Sequence, residues 1–90
     1  MRKKAKILIS GIVHGVGFRY FTLNLAQSLS IDGSVRNVTE GVEVLAEGEE
    51  QALAVFLQQL RIGPRFAHVS DMTIEWLEPD NLFQGFFITY

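Results

Sequence analysis

The segment Gly11-Ile12-Val13-His14-Gly15-Val16-Gly17-Phe18-Arg19 carries the residue types and spacing best suited to chemistry. Its glycines let the backbone turn sharply and let a ligand come close to it. An apolar run from Ile7 to Val13 enters the segment, and a helical pattern leaves it. The successive N–H groups of such a loop point into one concavity at a helix start, which suits an anion. Arg19 adds a planar guanidinium that forks onto two phosphate oxygens. A cation near a helix N-terminus is opposed by the helix dipole, and a bound anion removes that conflict.

Known phosphate chemistries narrow the reading. No Gly-Lys-Ser/Thr follows the glycines, so this is not a Walker A loop, and the dinucleotide fingerprint G-x-G-x-x-G is absent too. The outline is similar to the loop of cysteine-dependent phosphatases, but the nucleophile position falls on Val13 and the chain has no cysteine. His14 reads as a side chain that braces the turn or faces solvent, and His68 reads as structural. The histidines and carboxylates lack metal-ligand spacing, so no metal site is expected. Glu43, Glu47, Glu49 and Glu50 read as a solvated face, and Arg2-Lys3-Lys4 as a solvated tail.

Phosphate binding without a base, nucleophile or metal suits a substrate with an easy leaving group. An acyl phosphate is one, because it releases a carboxylate. Catalysis then reduces to positioning and charge stabilisation. One polar group must still aim a water at phosphorus. Asn37 is the best candidate, because an amide both donates and accepts. Its plainer reading is a turn residue before Thr39-Glu40-Gly41.

The elements that must position these groups follow from periodicity. Residues 5–13 read as a strand with Ile7, Ile9 and Val13 on one face and Leu8 and Ile12 on the other, so that both faces are covered. Phe18, Phe21, Leu25, Ala26 and Leu29 recur at helical spacing over 18–30, and Asp32-Gly33 closes that segment as a turn. Strands at 34–38 and 42–47 make a hairpin. A second helix over about 49–61 stops at Gly63-Pro64, and strands follow at 67–77 and around Phe86, Ile88 and Tyr90. The β-α-β-β-α-β order predicts an α+β, ferredoxin-like sandwich: an antiparallel sheet with two helices on one face. A single domain spanning 1–90 is expected, with 48% hydrophobic residues to build its core.

Taken in order, four segments resemble the acylphosphatase family. The signature G-x-V-x-G-V-x-F-R stands here as Gly11 to Arg19, and G-x-V-x-N-x-x-[DE]-G as Gly33 to Gly41. G-P-x-x-A-x-V is Gly63 to Val69, and F-x-I-x-Y is Phe86 to Tyr90. The resemblance implies a ferredoxin-like fold and hydrolysis of the carboxyl–phosphate bond without metal or other cofactor. It implies that Arg19 binds the phosphate, that Asn37 orients the attacking water, and that loop residues His14, Gly15, Val16, Gly17, Phe18 and Arg19 complete the cradle. Three positions depart from the family pattern: His14 stands where glutamine is usual, Ser30 where glycine is, and Glu40 where aspartate is commoner.

A small-molecule acyl phosphate is the expected partner, and a cytoplasmic monomer the expected form. A competing reading is a phosphate- or carbamoyl-phosphate-binding module of a larger hydrogenase maturation protein. RNA-recognition modules share the element order, but they need aromatics on the central strands and a basic face. Strand 42–47 has no aromatic residue and the net charge is −2, so no nucleic-acid partner is expected. No apolar run approaches a membrane span.

Overall fold

Side-chain alternation decides which side of the sheet is buried. Ala5, Ile7 and Ile9 are buried on one face, and the strand beside them contributes Val42, Val44 and Ala46. The computed structural model describes residues 1–90. Its elements are β1 (Arg2–Ile12), α1 (Phe18–Ser28), β2 (Asp32–Val38), β3 (Gly41–Glu49), α2 (Glu50–Ile62), β4 (His68–Leu77) and β5 (Phe86–Ile88). The strands lie in the order β4-β1-β3-β2-β5. β1 runs antiparallel to both β3 and β4, and β2 antiparallel to β3. Phe18 and Ala26 of α1, with Leu53, Phe56 and Leu60 of α2, join the strand residues in one core. Each large apolar side chain buried there stabilises the fold by roughly 1.5–3 kcal/mol. The expected α+β, ferredoxin-like arrangement is what forms.

The fifth strand makes the sheet mixed instead of wholly antiparallel. β5 pairs parallel to β2, from Gly33 opposite Phe86 to Val35 opposite Ile88. The direction follows from where the chain crosses: β4 finishes beside Lys4, at the sheet end where β2 begins. A segment crossing there must enter the far edge alongside β2. The second face of β1 is covered only towards its start, where Lys4 is buried and Leu8 half-buried, while Ile12 is 62% exposed.

α1 stops at Ser28, two residues short of the reading from periodicity. Ser30 sits at φ 56°, in the left-handed region. Its N–H bonds to the Gln27 carbonyl at 3.3 Å, and the Ile31 N–H bonds to the Ala26 carbonyl at 2.9 Å. This is the Schellman ending, in which the left-handed position favours glycine. Asp32 and Gly33 then open β2 and do not form a turn. Ser30→Gly is expected to stabilise the protein by about 1 kcal/mol, read as a higher urea midpoint at unchanged m.

The basic N-terminus is not a solvated tail, and Glu47 is not on a solvated face. Arg2 and Lys4 lie in β1, and Glu47 is 3% exposed. Arg2 Nη2 approaches Glu47 Oε2 at 3.0 Å and Asp32 Oδ2 at 3.2 Å. Glu47 also accepts the Asp80 and Asn81 N–H groups, at 3.1 and 3.2 Å, while Asp32 accepts the Gly85 N–H at 2.9 Å. Lys4, 6% exposed, reaches Asp80 at 2.7 Å. These bonds strap segment 78–85 across the sheet, and each buried charge has a partner, as burial requires.

Lys4, then the Leu82 N–H, holds the Asp80 carboxyl below its ordinary value. A carboxyl depressed in the folded state contributes stability that is in force above its unfolded value, about 3.9. That contribution disappears as pH falls through the folded value. Wild-type stability is therefore expected to drop between pH 5 and pH 3 more steeply than that of Asp80→Asn, in urea titrations at the two pH values.

Candidate active site

β1 and β2 both run antiparallel to the β3 between them, so they point the same way and finish at the same end of the sheet. Ile9 pairs with Val42, which pairs with Asn37. Asn37 thus stands level with the last turn-ward residues of β1, beside the loop that follows it. Val35 is buried on the helix side, and alternation puts Asn37 on that side too. Sequence positions far apart are in this way delivered to one place by strand direction alone.

The loop itself runs from Val13 to the start of α1. Gly15 and Gly17 have φ of 72° and 78°, and neither has an atom within 4 Å of where a Cβ would stand. Backbone conformation, not space, selects glycine at both. Gly11 belongs to a different device. It lies at the β1–β4 register shift, where a Cβ would collide with the His68 carbonyl oxygen. It supports the loop's entry and does not line the concavity.

Gly17 caps α1 without a side chain, and the first helical turn holds no acidic residue. The Phe21 N–H bonds to the Gly17 carbonyl at 3.0 Å. The N–H groups of Phe18, Arg19 and Tyr20 come before it and have no helical acceptor. They are the donors an anion would take.

A cavity of about 190 Å³ opens here, lined by Val13, Gly15, Gly17, Phe18, Arg19, Tyr20 and Asn37. Of the expected site residues, Gly15, Gly17, Phe18, Arg19 and Asn37 meet on it. Val16 instead packs against the core, and His14 turns away. His14 Nε2 lies 2.6 Å from the Gly41 carbonyl oxygen, so it donates, and the ring ties the loop to the hairpin after Asn37. Bracing, one of the two plain readings of His14, is what the geometry has. Val13 and Tyr20 line the cavity without having been expected there. Tyr20 lies off the helix's apolar stripe, and its only sequence signal was its place next to Arg19.

Of the three arginines in no ion pair, Arg19, Arg61 and Arg65, only Arg19 lines the cavity. Arg2, Lys3, Lys4, Lys6 and Arg36 all sit in ion pairs. Arg19 is in none, is half-buried, and is the one charged residue on the cavity wall. Its guanidinium stacks 5.3 Å from the Tyr90 ring centroid, a contact that holds a cation without neutralising it. A wider hollow of about 280 Å³ lies between Met1–Lys3 and Trp76–Pro79. Its basic groups are already paired, Arg2 with Glu47 and Lys3 with Glu50. No cluster of three metal-ligating side chains occurs, and no helix is long and apolar enough to cross a membrane.

A sequence model of the acylphosphatase family matches residues 5–88. The chain belongs to the acylphosphatase family. An acylphosphatase of Thermotoga maritima is 44% identical over 89 residues, covering 98% of each chain. The crystal structure of the Bacillus subtilis acylphosphatase superimposes at a TM-score of 0.91 with 36% identity, covering 100% of both chains. Full-length HypF in its phosphate- and nucleotide-bound form contains a similar domain. That match has a TM-score of 0.93 and 30% identity over 100% of this chain and 12% of the larger one.

Proposed function

We propose that this acylphosphatase-family protein hydrolyses the carboxyl–phosphate bond of acyl phosphates through Arg19, the loop donors and Asn37. One observation carries the reading. An unpaired arginine, the free N–H groups of a helix start and a neutral amide converge on one small cavity. Arg19 and the His14–Arg19 loop hold the phosphoryl oxygens. Asn37 accepts a hydrogen bond from a water and aims it at phosphorus, in line with the departing carboxylate. The water oxygen–phosphorus bond forms as the phosphorus–acyl oxygen bond breaks. An amide takes no proton, so the water's proton ends on a phosphate oxygen, and the products are a carboxylate and inorganic phosphate.

The proposal extends to a single domain over 1–90, acting as a cytoplasmic monomer on a small acyl phosphate. Identity of 44% to the Thermotoga maritima and 36% to the Bacillus subtilis acylphosphatase, against 30% to HypF, supports an enzyme over a binding module of a larger protein. Benzoyl phosphate hydrolysis in EDTA, with inorganic phosphate as competitor, tests the reading. Turnover that EDTA spares and phosphate inhibits is expected, and phosphate binding without turnover would overturn it.

His14 acts in this scheme by holding the loop against the hairpin that carries Asn37. His14→Ala is expected to cost about 1 kcal/mol of stability, the worth of one hydrogen bond, and to lower turnover several-fold. His14→Gln keeps a donor and is expected to retain both. Unfolding curves and benzoyl phosphate kinetics on the two variants check this.

A further inference from the structure

The side chain of Tyr20 takes no part in the scheme above. Tyr20 lines the same hollow as Arg19 and Asn37, and it is 60% exposed. At about 190 Å³ the hollow is smaller than the roughly 300–1,000 Å³ pockets that enclose drug-sized ligands. It suits a phosphoryl group and a water, and leaves the acyl group at the mouth. In-line displacement sends the leaving carboxylate away from the water, and hence away from Asn37.

The wall offers little else to an acyl group. Val13 and Phe18 are buried and already committed to the core. Arg19 is the one charged side chain, taken by the phosphoryl group, so nothing remains to pair with a charge on the acyl part. The Tyr90 ring stacks on the Arg19 guanidinium and, although exposed, does not line the cavity. Among the residues lining the cavity, Tyr20 alone presents an exposed aromatic ring, and such a ring gains most when another flat group covers it.

Resting on the proposed acyl phosphate hydrolysis, we infer that Tyr20 determines acyl-group specificity, favouring neutral, flat acyl groups such as benzoyl over acetyl. Tyr20 is a binding surface and does not act on the reacting atoms. Its effect falls on KM for the larger substrate.

Steady-state kinetics with benzoyl phosphate and acetyl phosphate test this in wild type, Tyr20→Phe and Tyr20→Ala. In Tyr20→Ala the benzoyl-to-acetyl ratio of kcat/KM is expected to fall about 3–10-fold, the worth of one aromatic contact, through KM for benzoyl phosphate. Tyr20→Phe keeps the ring and is expected to keep the ratio. An unchanged ratio in Tyr20→Ala would overturn the inference, as would an equal loss on both substrates, which marks a structural role. So would a fall in Tyr20→Phe as large as in Tyr20→Ala. Wild type that hydrolyses neither substrate defeats the proposed function itself, and the inference with it.

Discussion

Arg19→Ala is expected to lower kcat/KM for benzoyl phosphate by about 10³-fold or more, the scale of losing a phosphoryl-binding guanidinium. At 1.36 kcal/mol per tenfold this is about 4 kcal/mol of transition-state stabilisation. The size follows from the site's composition. Arg19 is the only cation on the cavity wall, and no other basic side chain is placed to substitute for it. Backbone N–H groups remain in the variant, but they carry partial charges and cannot neutralise a phosphoryl dianion. Arg19→Lys keeps the charge without the two-pronged fork, so an intermediate loss is expected. Folding is not expected to explain the defect. An arginine in the first turn opposes the helix dipole by about 0.3–1 kcal/mol, which offsets the lost stacking on Tyr90, about 0.5–1 kcal/mol. The wild type should also gain thermal stability with added phosphate, because a ligand that binds only the folded state raises stability by mass action. Arg19→Ala should show no such rise. A variant that loses activity yet is still stabilised by phosphate would remove Arg19 from the anchoring role.

Much of this arrangement was legible in local sequence. Periodicity located both helices and the hairpin, and the glycine spacing before Arg19 identified the loop. What stayed hidden depended on partners distant in the chain. Alternation with Ala46 placed Glu47 on the face away from the helices, but nothing near Glu47 says that residues 78–85 will cover it. Arg2 and Lys4 read as a tail because their strand character comes from pairing with Glu49 and Glu47. The direction of β5 has the same origin. Three residues carry no orientation of their own, and the crossing segment sets it. At the site, Asn37 was readable as a candidate and its plainer reading as a turn residue was also open. The parallel run of β1 and β2 brings Asn37 to the cavity with Arg19, a placement that local sequence did not contain. Tyr20 was invisible, because an exposed aromatic beside a helix stripe has no pattern that separates it from ordinary surface.

Asn37→Ala is expected to separate turnover from binding. If the amide's task is to aim a water, its loss removes a hydrogen bond that matters in the transition state and leaves the phosphate contacts of Arg19 and the loop in place. Loss of one preorganised polar partner lowers kcat by about 10²–10³-fold. Inhibition by inorganic phosphate is expected to stay within a few-fold of wild type. Stability should change little, because Asn37 is exposed and makes no side-chain hydrogen bond of its own in the fold. Asn37→Asp sharpens the argument. It keeps size and an acceptor, but at neutral pH it sets a carboxylate beside the phosphoryl group. Repulsion between like charges should then weaken phosphate inhibition as well as turnover. The two substitutions therefore predict different patterns: kcat alone for alanine, both properties for aspartate. If Asn37→Ala weakens phosphate binding as much as it slows turnover, the amide holds the phosphoryl group and not the water. Another group would then have to orient the nucleophile.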